Sequence, residues 1–172
     1  MKGRSRFLKA QHSPLHLCRT LALLALLGLV STLQAGASNF DWQRYTIPTS
    51  GLSVDVPTSI FGEDGGATEG NLGRQLFTKD RRANLTIRSF PNPNNDPPAI
   101  FLQKMNAPTR MQYRRRVTSK FFAVSSIRNG RTWYNRCNRV NQFMNCVLTN
   151  YPAVEDREWD AVVTRISLSL GK

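Results

Sequence analysis

Histidine is scarce in this sequence, and its placement excludes more than its number does. Both histidines, His12 and His16, stand near the start of the chain. Beyond His16 there is no imidazole for a Ser–His or Cys–His nucleophile pair, none for a metal site, and no side chain whose unperturbed pKa lies near neutrality. Cysteine is nearly as rare, with only Cys18, Cys137 and Cys146. Long apolar runs are missing too. The longest uninterrupted one, LALLALLGLV, starts at Leu21 and is shorter than the roughly 20 residues a membrane-spanning helix needs. Carboxylate, finally, is absent from the whole interval between Asp96 and Glu155, while ten Lys and Arg fall inside it.

What is present at the N-terminus explains where the histidines sit. Lys2, Arg4, Arg6, Lys9 and Arg19 precede the apolar run without an intervening acid, and the small-x-small triplet Ala35, Gly36, Ala37 follows it. A charged segment, an apolar stretch of this length and small residues in that order read as an export signal, with cleavage expected near Ala37. Residues 1–37 are thus expected to be a signal peptide and residues 38–172 a single domain, located in the periplasm or secreted, with no membrane span after processing. The remaining chain would carry 19 Lys and Arg against 11 Asp and Glu, a formal charge of +8.

Export places Cys137 and Cys146 in an oxidising compartment, where two cysteines are expected to be disulfide-bonded. Their spacing fits. If Asn141 and Gln142 form a two-residue hairpin loop, Val140 faces Phe143 and the count back brings Cys137 opposite Cys146, on a non-hydrogen-bonded pair where side chains lie closest. A zinc site would lack its other ligands, and the spacing is not that of a C-x-x-C redox motif. Asn129-Gly130, the strongest short hairpin signal, independently pairs FFAVSSI with RTWYNRC. Both turns together gather Phe122, Val124, Trp133, Cys137, Met144, Cys146 and Leu148 on one face, the expected core face. Ala123, Ser125, Tyr134, Arg136, Asn138, Asn145, Val147 and Thr149 take the other.

Upstream, RYTIP and GLSVDVP read as strands, FGEDGGATEG as a glycine-rich loop, and GRQLFTK to ANLTIRSF as a hairpin around Asp80, Arg81 and Arg82. A helix is expected after the connector PNPNNDPP, capped by Asp96, with Ile100, Phe101 and Met105 as its apolar side. The chain closes on VEDREWDAVVTRISLSL, where Trp159, Val162, Val163, Ile166 and Leu170 recur at helical spacing and the acids crowd the first turn. The fold class is therefore α+β: a mostly antiparallel sheet packed against a long C-terminal helix and a shorter middle helix.

Taken in order, RYTIPTSGLSVDVP, FTKDRRANLTIR and EDREWDAVVTRISLSL resemble the small exported proteins of unknown function common in alphaproteobacteria, whose mature parts are similar to the PsbP-like fold. The resemblance covers nearly the whole mature chain. It implies an antiparallel sheet sandwiched by helices and a binding or accessory role beside larger assemblies. It carries no catalytic signature.

For function, the sequence leaves three classes. An enzyme would have to rely on carboxylates such as Glu63, Asp64 or Glu69, which sit in the glycine-rich stretch. The same acids do not match the spacing of a calcium loop, and no cofactor is expected. A binding domain for an acidic partner draws on the run Arg114, Arg115, Arg116, which in a strand sends Arg115 to one face and the other two to the opposite one, and on Arg136 from the neighbouring hairpin. Arginine suits bidentate capture of phosphate or carboxylate. The partner would be an acidic polysaccharide, an anionic lipid surface or an acidic protein, while nucleic acid lacks any matching motif. The third class is an assembly subunit of an envelope complex, which would expose an apolar patch.

Overall fold

The computed structural model of the protein describes residues 40–105 and 112–171, and of residues 112–115 the backbone only. The export segment and its cleavage near Ala37 lie outside the described residues.

Alternating apolar residues and tight turns build nine strands. A first hairpin pairs β1 (Trp42–Ile47) with β2 (Leu52–Pro57) in a two-stranded sheet of its own. Seven further strands form one antiparallel sheet: β3 (Glu63–Ala67), β4 (Gly73–Phe77), β5 (Asn84–Pro91), β6 (Gln112–Val117), β7 (Phe121–Arg128), β8 (Arg131–Val140) and β9 (Phe143–Pro152). Their spatial order is β3-β4-β5-β9-β8-β7-β6, which leaves β3 and β6 as the edges. Helix α1 (Pro98–Lys104) follows β5, and α2 (Asp156–Ser169) closes the chain. Among the described residues no helix is long and apolar enough to cross a membrane.

Both turns place the strands in the register expected of them. Asn129 and Gly130 adopt positive φ between Arg128 and Arg131, and the count carries Phe122 to Cys137 and Val124 to Asn135. Asn141, also at positive φ, sets Val140 against Phe143 and Cys137 against Cys146. The two cysteines are disulfide-bonded with Cα atoms 4.1 Å apart, the separation of a close, non-hydrogen-bonded pair.

The sheet is buried on both faces, not one. On the face expected to be the core, α1 lays Phe101 and Leu102 on Phe122, Val124, Met144 and the disulfide. On the other, α2 and the β1–β2 hairpin bury Leu85, Ile87 and Val147 beneath Leu52, Val54, Val56, Val162 and Ile166. Polar residues of this second face tie the helix down. Alternate residues of β8 reach α2 and its C-cap: Thr132 donates to Asp156 Oδ1 at 2.6 Å, the Tyr134 hydroxyl meets Ser167 Oγ at 2.6 Å, and Asn138 donates to the Leu170 carbonyl at 3.0 Å.

Four local expectations are corrected. Trp133 shares the α1 face yet is 44% exposed, because a seven-residue helix, about 10 Å long, stops short of the row nearest the β7–β8 turn. Within α1, Leu102 is buried while Ile100 is exposed. Asp96 does not cap that helix; Pro97 takes the position, and Asp96 pairs with Lys104 at 2.5 Å. The stretch expected as a glycine-rich loop contains edge strand β3, whose register shifts between Asp64 and Ala67, followed by a single 3-10 turn, Glu69–Asn71.

Candidate functional site

Helix α2 packs on β2 and β9 and is tied to β8 by hydrogen bonds, so on this face the outer strands β6 and β7 lie beside its flank. The register then aligns a row across three strands: Arg116 pairs with Ala123, and Ala123 pairs with Arg136. Alternation puts Phe121 on the same face as Ala123. The guanidinium of Arg136 lies 4.4 Å, and that of Arg116 5.4 Å, from the centre of the Phe121 ring. Arg136 also donates to Asn138 Oδ1 at 3.2 Å and approaches Ser167 Oγ at 3.4 Å, both neutral groups. Among the described residues, neither arginine is paired with a carboxylate, whereas five other basic side chains are.

Two of the four arginines singled out from the sequence are thus brought together by described side chains. Arg114 pairs by backbone register with Ser125, and Arg115 with Val124. Their side chains lie outside the described residues.

The row of arginines opens on a cleft of about 540 Å³ between the flank of α2 and the outer strands. Its sheet side is formed by Arg116, Ala123, Ser125, Tyr134 and Tyr151, and its helix side by Asp156, Arg157, Asp160, Val163 and Thr164. Sequence reasoning did not select the helix residues. Asp156, Asp160 and Thr164 recur at four-residue spacing beside the apolar stripe, a signal that marks one flank of the helix. Which strands that flank overlooks depends on how the helix is laid on the sheet.

Of the acids considered for catalysis, Asp64 and Glu69 are held in ion pairs. Asp64 accepts from Arg74 in a bidentate ion pair and from the Gly66 amide, and these bonds pull its pKa down to about 2, so it stays ionised. Glu69 pairs with Arg88 at 3.0 Å. Asp80 is likewise held below the ordinary carboxylate value by the Thr78 hydroxyl and the Arg82 amide. Among the described residues no three His, Cys, Asp or Glu side chains gather where they could hold a metal ion.

This arrangement of strands and helices has a counterpart among solved structures. The chain is similar to cyanobacterial PsbP (CyanoP) from Synechocystis sp. PCC 6803, with a TM-score of 0.55 over 78% of this chain and 94% of that one, at 11% identity. The fold is PsbP-like. No family model matches the sequence, and no curated protein does. At this identity the likeness extends to the architecture alone: a PsbP-like sheet, a short helix on one face and a C-terminal helix on the other. The disulfide is compatible with an exported protein.

Proposed function

We propose that the protein is a non-enzymatic binding domain that recognises an acidic partner through the face built on Arg116, Phe121 and Arg136. It works in the periplasm or outside the cell, as residues 38–172, after removal of the export segment near Ala37. The observation that carries this reading is the convergence of two guanidiniums on one aromatic ring with no carboxylate partner among the described residues. The planar donors of both side chains suit capture of phosphate or carboxylate. Arg114 and Arg115 extend the basic edge along β6. The carboxylate-free stretch between Asp96 and Glu155 supplies every strand of this outer half of the sheet, so the local field favours approach of a negative partner.

Carboxylate hydrolysis is the poorest of the alternatives, since Asp64 and Glu69 are engaged by Arg74 and Arg88 instead of forming an acid–base pair. A second reading, an assembly subunit of an envelope complex, is favoured by one feature, the exposed indole of Trp133 on the opposite face. Its interface would resist salt, whereas an ionic one is screened.

Retention of the disulfide-bonded protein on acidic polysaccharide and anionic lipid supports across a salt gradient tests the proposal. The Arg116→Ser, Arg136→Ser variant is expected to elute at much lower salt than the wild type. An Arg128→Ser, Arg139→Ser variant loses the same charge from exposed positions elsewhere and is expected to stay close to wild type. Equal behaviour of the two variants would refute a site at Phe121.

A further inference from the structure

Helix α1 covers Phe122, Met144 and the disulfide, but not the end of its face nearest the β7–β8 turn, where Trp133 is 44% exposed. Across β4, β5, β9 and β8 the register aligns Gln75 with Thr86, Thr86 with Leu148, and Leu148 with Asn135. Paired residues point to one side of a sheet, as do alternate residues of a strand, so Asn84 and Trp133 share this face in the adjacent row. Across these four strands neither row holds a charged side chain. At the rim Arg81 stacks on the Phe77 ring, 4.9 Å from its centre, and Arg131 donates to Asn150 Oδ1 at 2.5 Å, which takes up both of those residues. Gln75, Asn84, Thr86 and Asn135 are not taken up: they are half-buried and, among the described residues, their side chains are hydrogen-bonded to nothing. Trp133 is flanked by Ser126 and Asn150, and its indole meets no other ring among the described residues.

An exposed indole beside neutral amides and a hydroxyl selects for a ligand that is both apolar and rich in O–H groups. A purely apolar partner would strip water from these side chains without replacing its hydrogen bonds. A polyhydroxylated ligand replaces them, because each O–H both donates and accepts, as the amides and the threonine do. The C–H face of a pyranose ring, in turn, covers the indole as apolar surface. From β4 to β8 the row spans three strand spacings, about 14 Å, room for more than one sugar ring. An extended β-linked chain follows such a row, whereas an α-linked chain coils away from it. We propose that this face binds a neutral, β-linked polysaccharide, with one ring stacked on Trp133 and hydroxyls of the chain bonded to Asn135, Thr86, Asn84 and Gln75. The site lies on the opposite side of the sheet from Arg116 and Arg136 and is independent of them.

Calorimetric and fluorescence titration of the intact, disulfide-bonded protein with cellopentaose tests this, with maltopentaose, the same glucose units joined by α-linkages, as the comparison probe. Saturable binding of cellopentaose is expected, roughly tenfold or more tighter than that of maltopentaose. Tryptophan emission should shift to the blue as the exposed indole is covered, since Trp42 and Trp159 are already packed against the core. Trp133→Ala should lose the shift and weaken binding by roughly tenfold or more, as removal of a central aromatic anchor does. Thr86→Val, which keeps size and β-branching, should weaken it about threefold to tenfold, the worth of one neutral hydrogen bond. Unchanged urea midpoints confirm that both variants fold. Arg116→Ser with Arg136→Ser should bind cellopentaose like the wild type; a loss there would move the site to the basic face and overturn the assignment. Absence of saturable cellopentaose binding also overturns it, as do equal binding of maltopentaose and a Trp133→Ala variant that binds like the wild type. Self-association that Trp133→Ala abolishes, with no sugar bound, would give this face to a second copy of the chain instead.

Discussion

Breaking the Cys137–Cys146 bridge is expected to cost the protein roughly 2.5 to 3 kcal/mol of stability, and the figure follows from where the bridge lies. Nine positions separate the cysteines in sequence, so the closed loop is short, and the chain-entropy relation gives about 2.7 kcal/mol at room temperature for a loop of this size. Both residues are fully buried against Phe122 and Met144, so reductant reaches them only in opened molecules. The protein should therefore be reduced while unfolded, returned to native conditions under reductant, and compared with the oxidised form by urea unfolding. A slope of about 1.5 to 2 kcal/mol per molar, ordinary for a small domain, converts the loss to a midpoint lower by roughly 1 to 2 M. The slope should rise slightly, because the uncrosslinked unfolded chain exposes more surface. Replacing both cysteines by alanine should cost more than reduction does, since it also removes two sulfurs from a close-packed core. A midpoint shift under about 0.5 M would refute the reasoning. It would mean that β8 and β9 stay paired around Asn141 in the unfolded chain, leaving the bridge little entropy to remove.

Three further outcomes can be checked. Gly73→Ala should destabilise by about 1 to 3 kcal/mol or more in the same urea assay, because an added Cβ would stand 2.1 Å from the Ile87 carbonyl oxygen and 2.8 Å from Arg88 Cα, backbone atoms that cannot turn aside. Ser89→Ala should cost about 1 to 3 kcal/mol, since Ser89 links Ser50 Oγ at 2.5 Å to Asn145 Oδ1 at 2.7 Å in a buried cluster and its loss leaves both without that partner. The Asp64 carboxyl should titrate near pH 2 in an NMR titration, and Arg74→Ala should move its midpoint up toward the ordinary value of 3.8. Because that pKa is depressed in the folded state, its stabilisation is fully present above the ordinary carboxylate value and is lost as pH falls toward 2. An unchanged midpoint in the variant would show that the Gly66 amide alone holds Asp64 ionised.

Local chemistry alone sufficed for much of this molecule. Asn129-Gly130 and Asn141-Gln142 are turns whose geometry depends on two residues each, and a turn sets the pairing of every residue along its strands. The disulfide partners and the β7-β8-β9 register were legible for that reason, as was the apolar stripe of α2, which repeats at the helical period. The tertiary structure decided which surfaces meet. Tyr134 and Asn138 were placed on the face opposite the expected core, yet with Thr132 they are the ones that fasten α2, because hydrogen bonds to Asp156, Ser167 and Leu170 replace those to water. The reach of α1 decided that Trp133 stays exposed on a core face. The candidate site belongs to this second class. Arg116 and Arg136 are 20 positions apart and Asp160 another 24 beyond, and no local rule brings them together. Their meeting depends on how far across the sheet α2 lies, and that is fixed by packing between elements distant in sequence.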